Sequence, residues 1–233
     1  MLSQPPTRVV HCEDALNWLE AQPTLTGCSF ITSMPDVSEF PLLTVEEWKN
    51  WFTRVAALIF SRCPDDGVAI FYQTDIKVNG VWIDKGYLVQ KAAEQTGHAL
   101  LWHKIVCRKK AGTVTYGRPG YSHLLCFSKS IRFDIAKSKT DVLPHPGETT
   151  WTRGMGTEVG LTACKFVLDH TSTQTIVAPF CGHGTLLAIA NDIGLSVIGI
   201  ELSPKRARKA RNAEIQQLTQ LIGDGFENAE EEP

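Results

Sequence analysis

The residues whose types and spacing could do chemistry gather near the C-terminal end. Thr175-Ile-Val-Ala-Pro-Phe-Cys-Gly-His-Gly-Thr-Leu-Leu reads as a short apolar strand, a turn with glycines at Gly182 and Gly184, and the start of a helix. A second apolar strand, Leu195-Ser-Val-Ile-Gly-Ile, then closes on the carboxylate of Glu201. Glycines let a backbone approach a ligand closely, and a helix N-terminus offers N–H groups with no partner inside the helix. An acid about 20 residues beyond such a turn can accept hydrogen bonds from ribose hydroxyls. The stretch is a nucleotide-binding βαβ unit, and the rest of the chain must decide which nucleotide it serves.

The elements that position this loop precede it. Arg8-Val-Val-His and Cys28-Ser-Phe-Ile-Thr read as strands, the first followed by a helical stretch from Ala15, the second ending abruptly at Ser33-Met-Pro-Asp36. Thr44 and Glu47 form a capping box, and Trp48, Trp51, Phe52, Val55, Leu58 and Ile59 recur at helical spacing behind it. A strand at Val68-Ala-Ile-Phe-Tyr follows, then a helix capped by Asp84 and ending at Gly97. Ala99–Cys107 and Ser122–Phe127 read as an antiparallel pair around a basic Gly/Pro loop. A polar connection with Pro144 and Pro146 leads to Trp151-Thr-Arg-Gly-Met-Gly and a helix through Leu161, Cys164, Val167 and Leu168. The last helix starts at Ser203-Pro204. Alternating strands and helices with a late hairpin predict an α/β domain with a mostly parallel sheet and helices on both faces. Only one helix follows Glu201, so the sheet is filled by strands earlier in sequence. A nicotinamide dehydrogenase starts with its glycine unit and builds onward, so this order is that of a circularly permuted domain.

Composition narrows the class further. The chain of 233 residues has a formal net charge of −2 and seven scattered cysteines without a C-x-x-C pair. That pattern argues against a disulfide framework and a zinc site, and for a reducing compartment, cytoplasm or nucleus. No apolar run is long enough for a membrane span, and Met1-Leu-Ser-Gln-Pro-Pro is no signal peptide. Lys104 to Lys139 carries nine Lys/Arg against one acid, Asp134, which suits an anionic partner, although a solvated basic face gives the same pattern. The expected domain spans residues 1–222, followed by an acidic tail at 223–233.

In segment order the chain resembles the circularly permuted S-adenosylmethionine-dependent amino-methyltransferases of nucleic acids, the β-group DNA N4-cytosine and N6-adenine enzymes and related RNA enzymes. Glu13-Asp14-Ala-Leu is similar to the family's opening turn and Ser33-Met-Pro-Asp36 to its (Asp/Asn/Ser)-Pro-Pro-aromatic motif. Ala178-Pro-Phe-Cys-Gly-His-Gly-Thr185 is similar to its Asp-Pro-Phe-x-Gly-x-Gly-Thr motif, with Ile198-Gly-Ile-Glu201 at the family's spacing. The likeness in order runs from about Arg8 to Arg211. It implies a class I methyltransferase Rossmann-like fold with a seven-stranded sheet, and S-adenosyl-L-methionine as cofactor.

The same resemblance implies roles for particular residues. Pro179, Phe180, Gly182, Gly184 and Thr185 wrap the methionine moiety, Glu201 meets the ribose and Asp14 the adenine amine. Ala178 stands where the family has an Asp that approaches the cofactor's ammonium group. Methylating an amine requires its lone pair to face the methyl group, so Ser33 supplies a side-chain acceptor, Met34 a carbonyl, and Pro35 a stiff turn. Asp36 replaces the aromatic that stacks on the base; it could instead accept a proton or bond a base edge or ribose. Phe40, Tyr121 and Trp151 are substitute stackers. Thr152 or Arg153 could bind the cofactor carboxylate, or belong to a plain helix-entry turn. Arg108, Lys109, Lys110 and Arg118, and the basic helix after Ser203, could contact phosphates. The expected substrate is a nucleic-acid base nitrogen, RNA rather than DNA, because no insertion is large enough for a DNA target-recognition domain. A small-molecule or protein methyltransferase, and a non-catalytic methyltransferase-like partner subunit, are the alternatives; NAD binding is a distant one.

Overall fold

The computed structural model describes residues 5–133, 140–149 and 154–215. Its strands are β1 (Arg8–His11), β2 (Cys28–Thr32), β3 (Ala69–Gln73), β4 (Ile76–Val78), β5 (Val81–Ile83), β6 (Ala99–Cys107), β7 (Tyr121–Ser128), β8 (Val142–Leu143), β9 (Thr175–Pro179) and β10 (Ser196–Ile200). Its helices are α1 (Ala15–Ala21), α2 (Val45–Arg62), α3 (Lys85–Gln95), α4 (Thr157–His170), α5 (Thr185–Asp192) and α6 (Pro204–Arg211). The main sheet runs β1-β10-β9-β2-β3-β7-β6-β8, with β7 antiparallel to both its neighbours. It contains the seven expected strands and adds β8, two residues that pair with Ile105 and Val106 at the edge. A strand this short, ahead of Pro144 and Pro146, carries no periodicity to announce it.

Each buried strand feeds two cores. In β3, Ile70 and Tyr72 pack with α4, α5 and α6, while Ala69 and Phe71 pack with α1, α2 and α3. This follows from the alternation of side chains across a pleated strand. Helices cover both faces because both carry apolar residues. The capping box at Thr44 forms as expected: Glu47 N–H donates to Thr44 Oγ1 at 3.3 Å and the Thr44 N–H to Glu47 Oε2 at 2.8 Å.

Connections from β9 run outward through α5 to β10, and those from β2 run the other way through α2 to β3. The β9–β2 seam is therefore the topological switch point, where open α/β sheets hold ligands beyond the strands' carboxyl ends. The loops after both strands meet there. A separate two-stranded sheet, β4–β5, turns at Asn79 and Gly80, both at positive φ. This hairpin is not among the elements expected from sequence, although an Asn-Gly pair between apolar residues is a direct signal for one.

Candidate active site

The glycine loop is shaped by close packing on one side and a carboxylate on the other. Gly184, at φ 84°, leads α5; a Cβ there would lie 2.6 Å from the Ala210 Cα, so only glycine lets α6 approach. Phe180 and Gly182 also take positive φ, at 61° and 59°. Glu201, buried at the end of β10, accepts the Gly182 N–H on Oε2 at 3.1 Å and the Ser203 N–H on Oε1 at 2.8 Å. It braces the loop in addition to facing the cavity. Burial, and then the charge of Glu201, push the Cys181 thiol up to about 12, so no thiolate forms there near neutral pH. No side chain caps α5 at Gly184, and the helix begins at the cavity with Thr185 on its lining. Asp14 caps α1, its Oδ1 accepting from Leu16 and Asn17 at 2.9 and 3.0 Å.

One cavity of about 650 Å³ brings these groups together with those of the β2 loop. Asp14, Pro179, Phe180, Gly182, Thr185 and Glu201 line one half, and Ser33, Met34, Pro35 and Asp36 the other. Thr32 Oγ1 donates to the Pro179 carbonyl at 2.5 Å and ties the two loops across the seam. Among the described residues, nothing bonds the Ser33 hydroxyl or the Met34 carbonyl, two consecutive acceptors left for a ligand. Phe40 packs on Trp51 and Trp51 on Phe180, with ring centroids 4.4 and 6.1 Å apart, giving the cavity an aromatic wall. Gly184 itself acts through α6 rather than by lining the cavity.

Asp36 departs from the expectation that it could take a proton. Its Oδ1 accepts from the buried Lys85 ammonium and its Oδ2 from Arg118 at 2.5 Å, so each oxygen is paired with a cation. Burial alone would raise the Asp36 carboxyl; Lys85 and Arg118 outweigh it and hold the group below its ordinary value. Lys85 is a site residue that the sequence reading missed. It stands beside the helix cap Asp84, and nothing in the local pattern distinguishes it from a surface lysine.

A chain of hydrogen bonds fixes Lys85 from behind. His103 Nε2 meets His123 Nδ1 at 2.9 Å, His123 Nε2 meets Asp75 Oδ2 at 2.9 Å, and Asp75 Oδ1 accepts the Lys85 N–H at 2.9 Å. Asp75, Asp84 and His123 could gather a cation, their ligand atoms lying within 4.8 Å of one another. His123 Nε2 bonds Asp75 Oδ2 and lies 4.0 Å from Asp84 Oδ1, which accepts the Tyr87 N–H at 2.8 Å at the start of α3. The hydrogen bonds brace the start of α3.

Arg108 lines the cavity beside Arg118, while Lys109 and Lys110 lie exposed on the loop beyond it. Tyr121 is partly exposed at the start of β7 and does not line the cavity. Trp151, Thr152 and Arg153 lie outside the described residues, as does the acidic tail. On α6, Arg206 approaches Glu201 at 3.7 Å and Arg211 donates to the Val10 carbonyl at 2.9 Å, so part of that basic helix serves the chain itself.

No family model and no curated protein matches the sequence. Solved structures do match. A protein from Thermus thermophilus, described as a candidate DNA modification methylase and complexed with S-adenosyl-L-methionine, aligns over 88% of this chain and 92% of its own, with a TM-score of 0.68 and 17% identity. The PvuII DNA methyltransferase, cytosine-N4-specific, covers 94% and 91%, with a TM-score of 0.65 and 16% identity. M1.HpyAVI in complex with S-adenosylmethionine covers 88% and 99%, with a TM-score of 0.59 and 15% identity. The chain has the fold of these methyltransferases over nearly its whole described length.

Proposed function

We propose that the protein is an S-adenosylmethionine-dependent methyltransferase acting on a nitrogen of a nucleic-acid base. The observation that carries this reading is the cavity at the switch point. It joins a glycine loop and an uncapped helix N-terminus to two consecutive unbonded acceptors, Ser33 Oγ and the Met34 carbonyl. Its volume is in the range of cofactor sites, about 300–1,000 Å³.

The residues fit the cofactor. Glu201 and Asp14 offer carboxylates to ribose hydroxyls and the adenine amine, and Pro179, Phe180, Gly182 and Thr185 surround the methionine moiety. Gly184 permits that enclosure by letting α6 close on the loop. When bound, S-adenosylmethionine supplies a sulfonium methyl carbon, which the amine nitrogen attacks as the C–S bond breaks, leaving S-adenosylhomocysteine and a proton for solvent. Ser33 and Met34 accept the amine N–H bonds and turn its lone pair into line, an orientation effect rather than acid–base catalysis. Asp36, engaged by two cations, is not the base. Its part is to hold Arg118 and Lys85 at the acceptor side, with Arg108, Lys109 and Lys110 available for phosphates.

The structural neighbours are named for DNA and lend no support to a preference for RNA. That finer reading rests only on the lack of a large insertion in the sequence. A second reading, a methyltransferase-like subunit without activity of its own, draws on Ala178 and on Asp36 in place of an aromatic. Titration calorimetry and single-turnover methyl transfer separate the two. Catalysis predicts micromolar-range cofactor binding and a Ser33→Ala rate reduced roughly 10- to 100-fold with binding unchanged. Cofactor binding without transfer to RNA or DNA would favour the inactive subunit.

A further inference from the structure

We infer that the β4–β5 hairpin and the loop at 108–120 form one wall that takes a single-stranded stretch of nucleic acid flanking the target base. The inference rests on the reading above and extends its phosphate contacts at Arg108, Lys109 and Lys110 to a surface that also holds aromatic rings.

The wall is a built unit. The Lys77 N–H donates to the Gly117 carbonyl at 3.2 Å, fastening the hairpin to the loop. Each partner then sends one cation to the same carboxylate in the cavity. Arg118 follows Gly117 directly, Lys85 follows the end of β5 by two residues, and both bond Asp36. The surface therefore begins where the acceptor half of the cavity ends.

Its chemistry is one-sided. Residues 76–83 and 108–120 contain five Lys/Arg and no acid. Trp82 is 50% exposed and Tyr116 91% exposed, aromatic area that neither core among the described residues uses. Lys77 faces Trp82 across the hairpin, its ammonium 5.7 Å from the ring centroid. Aromatic faces interleaved with cations fit stacked bases and the phosphates between them. A protein partner would be served by the apolar area but not by the four cations Lys77, Arg108, Lys109 and Lys110 beside Arg118, which Asp36 already engages. A closed duplex offers phosphates but no base faces to Trp82 and Tyr116.

Fluorescence anisotropy with labelled single strands of about 15 nucleotides, RNA and DNA, and a duplex of the same sequence tests this. Trp82→Ala should weaken single-strand binding roughly tenfold, Trp82→Phe should retain most of it, and duplex binding should barely change. Lys77→Ala should lower the slope of log K against log salt by about 0.7. Calorimetry with S-adenosylmethionine should give the same affinity for all three variants, showing that each is folded. The tighter of the two strands identifies the source. Unchanged single-strand binding in Trp82→Ala, an equal loss on duplex, or a wild type that binds no strand would overturn the inference. Methyl transfer by a wild type whose Trp82→Ala variant binds strands normally would leave the methyltransferase reading intact. Strand binding through Trp82 without cofactor binding would do the reverse.

Discussion

At the scale of single residues, the most consequential is Asp36. Removing its carboxylate strands the Lys85 ammonium in a buried place, which typically costs roughly 3–5 kcal/mol. Asp36→Ala is therefore expected to lower the urea midpoint sharply. Asp36→Ala combined with Lys85→Met should recover most of the loss, since a hydrophobic replacement of both partners removes the unpaired charge. The pair also fixes an acid limit. The folded carboxyl lies below its unfolded value of about 3.9, so its stabilisation is complete above that pH and fades as pH falls through the folded value. His98 and His103 act earlier. Burial lowers both, so the unfolded chain takes up their protons first and stability declines as pH drops below roughly 6.5. Urea midpoints measured from pH 8 to pH 3 should fall in two stages; a flat profile down to pH 5 would contradict the histidine part. Of the site, Ser33, Met34, Glu201 and the loop glycines were legible because motif spacing places them at strand ends. The Asp36–Lys85–Arg118 triad was not, because its members lie 49 and 82 residues apart and meet only through tertiary folding.

At the scale of elements, the loop–α5 unit depends on its packing against α6. Gly184→Ala would force a Cβ into the Ala210 backbone at a positive φ, so it should lower thermal stability and weaken cofactor binding together. Gly194→Ala, also at positive φ but with open space around its Cβ, should lower stability alone. Equal cofactor affinity in Gly184→Ala and wild type would mean that α6 does not shape the loop. The long elements were readable from sequence for clear reasons. α2 shows a capping box and an apolar stripe, and the interior strands are short apolar runs bounded by turn residues. β8 was unreadable because two residues hold no period. The β4–β5 hairpin has its turn signal in Asn79-Gly80, but the apolar runs beside it are only three residues long and hold little period.

At the scale of the whole molecule, strand order places the two loops that matter side by side. The glycine loop comes late in the chain and the Ser33 loop early, yet β9 and β2 are neighbours in the sheet. A permuted order was inferable because the glycine loop comes after the strands it must pair with. The neighbours of known structure share that fold at 14–18% identity, so the order of the short motifs, rather than overall identity, carries the likeness. What the molecule does with the fold is decided by one measurement. Incubation with S-adenosylmethionine carrying a deuterated methyl group, with cellular RNA and DNA in separate reactions, is followed by digestion and nucleoside mass spectrometry. The account predicts a labelled methyl group on a base nitrogen in one of the two, lost in Ser33→Ala. Label in neither nucleic acid, from protein that binds the cofactor, would contradict it.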